Sequence, residues 1–200
     1  MRKTLLPLFM LLMCSMSYAQ IEKGDVLVGG FTTFSSSTFN DDKNSFFQFS
    51  PRVGFFVSDR TSIGPVLSYQ VNTSEQATNG PILDARNSLF SFGAFMRNYK
   101  PISEKFYFYL HSSVTYGTGN RKFEGAINDE GDQSQFNINI SPGFSFFATD
   151  RLALDVRLAT ATFRSESFDN VGGNGETEVD SFFLSGGLSN VGFGISWFLK

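Results

Sequence analysis

Five ionisable side chains stand where this sequence could do chemistry. Arg52, Arg97, His111, Asp155 and Arg157 all fall on the polar positions of segments in which apolar and polar residues alternate. Charges enclosed on such faces need partners. Asp155 is the one acid among them, so the spacing predicts that it pairs with one or more of the arginines, with Tyr107 and Tyr109 on the face of His111 completing the network. Two functions follow from such a set. A ring of arginines in a pore favours anions, whereas the same charges tied together hold a narrow channel shut, and the closed plug is the preferred expectation.

Other chemistries are excluded by residue counts. His111 is the only histidine and Cys14 the only cysteine in 200 residues, so zinc sites of the two-His or three-His kind, Cys-based metal sites and a disulfide framework are ruled out. Acidic runs at Asp41-Asp42, Asp129-Glu130-Gly131-Asp132 and Glu176-Thr177-Glu178 offer the oxygen ligands that calcium takes, but none has an EF-hand spacing. No metal and no cofactor is expected. The formal net charge is −3 and becomes more negative once Arg2 and Lys3 leave with an export signal, which argues against a nucleic-acid partner.

That export signal occupies residues 1–19. A basic start at Arg2-Lys3 leads into an apolar run from Leu5 to Met13 and a small-x-small exit at Ser17 and Ala19, which predicts cleavage between Ala19 and Gln20. The run is too short for a membrane-spanning helix. Residues 20–200 are expected to form a single domain.

The elements that must position the five charges are strands. Between Ser45 and Ser58, Phe47, Phe49, Val53, Phe55 and Val57 alternate with Gln48, Ser50, Arg52 and Gly54. From Gln135 to Ala148, Phe136, Ile138, Ile140, Phe144 and Phe146 oppose Asn137, Asn139, Ser141, Gly143 and Ser145. From Leu152 to Arg164, Leu152, Leu154, Val156 and Leu158 oppose Ala153, Asp155, Arg157, Ala159 and Ala161. Five further segments, Asp25–Ser35, Ser62–Asn72, Ser88–Tyr99, Phe106–Thr118 and Ser181–Leu199, bring the predicted total to eight, with a bulge near Ser189-Asn190 in the last. Most are 11 to 14 residues long, longer than ordinary globular strands and enough to cross a bilayer when tilted.

Connections alternate in predicted length. Ser36–Asn44, Thr73–Asn87, Gly119–Ser134 and Ser165–Asp180 read as long loops, and Asp59–Thr61, Lys100–Lys105 and Thr149–Arg151 as short turns. In an up-and-down sheet the long loops then share one end, the asymmetry of an outer-membrane barrel. With 25 Phe in the chain and a mean hydropathy of only −0.09, something polar must alternate with the aromatics. An eight-stranded lumen is too narrow for the rows of Phe, Ile, Leu and Val, so these are expected to face lipid and the Gly, Ser, Ala, Asn and Gln rows to face inward. In hydrocarbon no backbone group can be left unpaired, so a sheet without free edges is expected. Tyr69, Phe106, Trp197 and Phe198 are predicted interfacial aromatics.

From about Gly24 to Lys200 the chain resembles the small outer-membrane β-barrel proteins of the OmpA/OmpX type and related porin-like barrels of diderm bacteria. The resemblance rests on the signal ending at Ala19, the eight-strand rhythm, Phe95-Met96-Arg97-Asn98-Tyr99 and the terminal Gly192-Phe193-Gly194-Ile195-Ser196-Trp197-Phe198-Leu199. It implies an all-β, eight-stranded antiparallel up-and-down transmembrane barrel in the outer membrane. It also implies that Gly194, Trp197 and Leu199 form part of the signal read by the barrel-assembly machinery, although the family pattern ends on an aromatic and this chain ends Leu199-Lys200.

One enzymatic resemblance also exists. A lipid A deacylase family among such barrels carries His-x-Ser followed by a Glu, and His111, Ser113 and Glu124 have that rough spacing. Val114 replaces the Asn of that family, and Glu124 falls in a predicted loop far from His111, so an enzyme is not expected. The expected protein is a monomer in contact with outer-membrane lipid and lipopolysaccharide, structural or interactive in role, its loops meeting a partner that the sequence does not identify. A small passive channel is the runner-up and a lipid A-modifying enzyme the third reading.

Overall fold

In the computed structural model, residues 21–39, 42–76, 83–124, 129–169, 175–186 and 192–200 are described. Ala19 and Gln20, the expected cleavage pair, lie outside them, as does the bulge expected at Ser189-Asn190. Ten strands form one antiparallel sheet: β1 (Val26–Phe39), β2 (Asp42–Ser58), β3 (Thr61–Gln76), β4 (Leu83–Ser103), β5 (Phe106–Glu124), β6 (Asp129–Phe147), β7 (Leu152–Arg157), β8 (Ala159–Asp169), β9 (Glu176–Gly186) and β10 (Gly192–Leu199). Each of β1 to β6 pairs with the next, β6 pairs with β7, β7 with β10 and β10 with β1, which closes a ring of eight. The two extra strands, β8 and β9, extend the wall beyond β7 and β10 at one end.

The division of one predicted strand into β7 and β8 has a local reason that can be traced to Pro142, while the division between β9 and β10 falls at residues outside those described. Gly143 faces Arg157 and Phe144 faces Val156 across the β6–β7 ladder, but Ile140 faces Ala161 across β6–β8, a register one residue longer. Between them the Leu158 amide donates to the Pro142 carbonyl at 3.1 Å. Proline has no N–H to return to the Leu158 carbonyl, so the pair is left with one bond and the strand bulges. The slip reverses the phase of everything beyond it. Thr160 and Thr162 turn inward, against Ser141 and Asn139, and the inward positions expected for Ala159 and Ala161 are corrected accordingly.

Loop lengths also differ from expectation. The β1–β2 ladder continues to Phe39 opposite Asp42, β3–β4 to Gln76 opposite Leu83, β5–β6 to Phe123 opposite Asp129, and β8–β9 to Asp169 opposite Glu176. Most of the residues read as long loops are therefore strand. Their side chains are polar, but a backbone already in register with its hairpin partner keeps pairing regardless, because strand preference is set largely by context. The asymmetry survives as protruding hairpins at one end, called here the loop end, opposite short connections such as Asp59-Arg60 and Glu104-Lys105 at the turn end.

Closure is partial among the described residues. The β1–β10 ladder stops at Thr32 opposite Phe193, while β1 goes on pairing with β2 to Phe39. Among the described residues, the loop-end half of β1 and the outer side of β9 have no strand partner; residues 187–191, between β9 and β10, lie outside them, so the expectation of a sheet without edges is met at the turn end and falls outside the described residues at the loop end. Beyond Thr32, β1 reads Thr33-Phe34-Ser35-Ser36-Ser37-Thr38, a hydroxyl-rich stretch.

The expected outward rows do face out. Phe47, Phe49, Phe55, Val57, Ile138, Ile140, Phe146 and Leu154 are exposed, while Arg52, Asn137, Ser141, Ser145 and Asp155 are buried. What the alternation misses, Tyr107 and Tyr109 apart, is a second set of aromatics on the inner face. Leu27, Phe56, Tyr99, Tyr107, Tyr109, Phe147 and Phe198 form a buried cluster at the turn end, with Phe147 and Phe198 ring centroids 4.8 Å apart and Phe56 and Phe198 5.9 Å apart. Phe198, expected at the surface, is only 1% exposed because its neighbour Trp197 takes the outward position. Tyr69 and Trp197 do face outward.

Candidate functional site

The five charges of the sequence analysis converge on one layer, directly above the aromatic cluster. Asp155 projects inward from β7 and is enclosed completely. Its Oδ2 accepts from Arg52 at 2.8 Å, Arg97 at 2.7 Å and Ser196 at 2.6 Å, and its Oδ1 accepts from Ser145 at 2.5 Å. Arg52 comes from β2, Arg97 from β4, Ser145 from β6 and Ser196 from β10, so one carboxylate ties together strands from all sides of the ring. Arg97 is 0% exposed. Such charge-assisted bonds are the strong kind, and the layer is rigid because each guanidinium is also packed against a ring.

Phe31 and Tyr109 supply those rings. The guanidinium carbon of Arg52 lies 4.6 Å and that of Arg157 4.3 Å from the Phe31 centroid, and that of Arg97 4.0 Å from the Tyr109 centroid. Both rings need space that a neighbouring strand gives up. A Cβ on Gly194 would sit 2.8 Å from the Phe31 ring, and one on Gly143 only 2.4 Å from Tyr109. Gly194 thus faces inward beneath Phe31, while Trp197 and Leu199, the other two residues of the expected assembly signal, face outward.

Asp155 pairs with Arg52 and Arg97 but not with Arg157. The Arg157 guanidinium makes no hydrogen bond or ion pair to any described residue, and its Nε is buried without a partner. His111, on β5 beside Arg97, stacks on Phe95 at 5.3 Å, and its Nδ1 is likewise buried and unpartnered. Tyr109 lies under Arg97, and Tyr99 accepts from Arg97 at 3.3 Å, a member of the network that the sequence analysis did not name. The signal was present, since Tyr99 is two residues from Arg97 and so shares its face.

This layer separates two cavities. On the loop-end side lies one of about 430 Å³, lined by Arg52, His111, Arg157, Ser68, Asn139 and Thr160 among others. On the turn-end side lies one of about 750 Å³, bounded by Ile21, Asp59, Arg60, Tyr99 and Tyr107. Toward the loop end a smaller polar group appears that sequence reasoning missed. Arg164 reaches Glu166 at 3.4 Å and Asn137 at 3.3 Å, and it faces inward only because of the slip at Leu158.

Of the residues of the deacylase resemblance, His111 and Ser113 form no relay with a described carboxylate, and the Glu124 side chain lies outside the described ones. His111 and Ser113 share the inner face of β5, but Ser113 Oγ meets Asn139 at 3.5 Å and no described carboxylate meets His111. Among the described residues no group of His, Cys, Asp and Glu has metal-binding geometry. At the protein's rim Glu130 accepts from Lys122 at 3.1 Å and from Asn120 at 3.1 Å, and these bonds hold its carboxyl below the usual glutamate range.

With the geometry in view, comparison with solved structures places the chain among the outer-membrane β-barrel folds. The outer membrane protein OprG of Pseudomonas aeruginosa superposes with a TM-score of 0.53 at 14% identity, over 92% of this chain and 100% of that one. Neisserial surface protein A matches at TM-score 0.47 and 16% identity over 86% of this chain and 94% of its own. The N-terminal β-barrel domain of Pseudomonas aeruginosa OprF matches at 0.44 and 15% over 88% and 98%. At these identities the likeness is one of fold. No family model matches the sequence, and no curated protein matches it.

Proposed function

We propose that this chain is an eight-stranded transmembrane barrel of the outer membrane, delivered by a cleaved signal peptide and folded by the barrel-assembly machinery. It stands as a monomer in lipid and lipopolysaccharide, holds a shut lumen, and presents its loop-end hairpins at the cell surface. The observation that carries this reading is the inversion of the two faces. Large apolar side chains ring the outside, where Phe49, Phe55, Phe92, Ile195 and Trp197 stand exposed, while a buried ion network crosses the inside. An outer surface of this kind is stable in hydrocarbon and unstable in water.

The closed lumen supports a structural or surface-interaction role rather than conduction. Arg52, Arg97 and Asp155 meet in mid-lumen above rings that fill the space below, so a solute would have to break two buried ion pairs to pass. Detergent extracts of membranes run on gels with and without boiling test the reading, and heat-modifiable migration is the expected result. Recovery in the soluble periplasm without such a shift overturns it. Planar-bilayer recordings test the closed lumen, where a stable conductance above transient leaks would show a channel instead.

A further inference from the structure

The ion layer carries more positive charge than its single carboxylate can balance. Arg52, Arg97 and Arg157 surround Asp155, and Asp155 is already saturated by two guanidinium groups and two serine hydroxyls. Glu166, the inward acid toward the loop end, is engaged by Arg164. Among the described residues Arg157 is thus a cation with no bonded countercharge, its Nε buried and its side chain half-buried against a wall that faces apolar solvent on the other side, a situation that an anion relieves.

Its surroundings are shaped to admit one. On both neighbouring strands the residue opposite Arg157 is a glycine, Gly143 on β6 and Gly192 on β10; Tyr109 packs into the room beside Gly143, and Phe31 and the Thr33 hydroxyl lie beside Gly192. Phe31 supports it from one face. Hydroxyls converge around it, with Ser141 and Thr160 joined at 3.0 Å and both lining the loop-end cavity together with Arg157. His111 lines the same cavity, is buried, and has an unpartnered Nδ1. A guanidinium, an imidazole nitrogen and two hydroxyls around a dead-end space form a receptor for an oxyanion.

We infer that the loop-end cavity is a binding site for a small oxyanion of phosphate type, inorganic phosphate or the phosphate of a small solute, with Arg157 as the principal ligand and His111, Ser141 and Thr160 as auxiliary donors. The anion enters from the loop end and goes no further, because the Asp155 layer closes the way below. The site rests on the barrel reading, since it needs a lumen shielded from bulk solvent on its sides.

The test uses the full mature chain folded in an uncharged maltoside detergent, titrated with inorganic phosphate against sodium chloride of equal ionic strength, while the Arg157 Nε–H resonance is followed by NMR. A saturable shift in the millimolar range or tighter, specific to phosphate, is expected, and Arg157→Met should weaken the affinity roughly tenfold or more. No saturable shift in the wild-type protein overturns the inference, as does a Kd unchanged in Arg157→Met. The wild-type titration decides the matter if that variant fails to fold. Phosphatidylglycerol doped into the micelles separates the two sources of phosphate: a headgroup that reproduces the shift and displaces inorganic phosphate overturns the small-solute assignment. Heat-modifiable migration of the same sample separates the levels of the argument. A protein that shows it but ignores phosphate loses only this site, and one that lacks it loses the barrel as well.

Discussion

Below Arg52 the lumen is filled from every wall by Phe56, Tyr99, Tyr107, Tyr109, Phe147 and Phe198, whereas above it the facing side chains are Ser50, Ser68, Ser113, Asn139 and Thr162 around open space. The turn-end half is also closed around its circumference, whereas in the loop-end half β1 and β9 have no strand partner among the described residues. One half behaves like the core of a water-soluble protein and the other like a lined cup. Cohesion across the lumen comes from ring packing and buried ion pairs in the first. In the second it comes from backbone ladders with half-exposed polar contacts, which contribute far less per contact.

The sharpest way to break that contrast is to remove one carboxylate from each half. Asp155→Ala leaves Arg52 and Arg97 buried without a counterion and should cost about 3–5 kcal/mol in urea unfolding from detergent. Glu166→Gln, at a half-exposed pair, should cost no more than about 1 kcal/mol. Equal losses would show that the halves are not energetically distinct. Glycine substitutions give a smaller contrast. Gly143→Ala forces a methyl group within 2.4 Å of Tyr109 and the Val156 carbonyl and should cost about 1–3 kcal/mol. Gly131→Ala, whose nearest neighbour is Asp169 Cβ at 3.5 Å, should stay within about 0.5 kcal/mol by the same assay.

Pro142 marks the boundary between the halves. Pro142→Ala supplies the N–H that the Leu158 carbonyl lacks, and a gain of about 0.5–1.5 kcal/mol is expected, with a slowly exchanging amide at position 142 as the direct sign. The smallest effect belongs to the rim. Lys122 and Asn120 hold the Glu130 carboxyl below its ordinary range, so the bonds stabilise the fold above the unfolded glutamate pKa and that contribution is lost as pH falls through the lower folded value. Following the Glu130 carboxyl by NMR through acid titration should show a raised midpoint in Lys122→Met, with no change at the Asp155 layer.

How legible each half was in the sequence follows the same division. Period two found the outward rows and, through them, the inward placement of Arg52, Arg97, His111, Asp155 and Arg157, because a strand has only two faces. It placed Tyr107 and Tyr109 inward but missed the rest of the aromatic floor for the same reason that it found the charges. Phe55-Phe56, Phe146-Phe147 and Trp197-Phe198 are adjacent pairs, and one member of each must point inward, yet the eye assigns both to the apolar row. Inward glycines such as Gly143 and Gly194, which make room for those rings, were the available signal. The slip beyond Leu158 was not legible from its own strand, since Thr160 and Ala161 are equally acceptable on either face. Its cause lies on β6, and only the register reveals that Pro142 stands opposite.

That slip has a consequence for how the chain can change in length. Deleting one residue from an ordinary strand exchanges its two faces from that point on. Arg157 and Thr160 both face inward although three positions apart, so the chain here carries one residue more than a regular ladder would need. Loss of Leu158 or Ala159 would leave every later side chain on the face it already occupies. Of the positions in this wall, this is where the gene can drop a codon without turning the lumen toward the lipid.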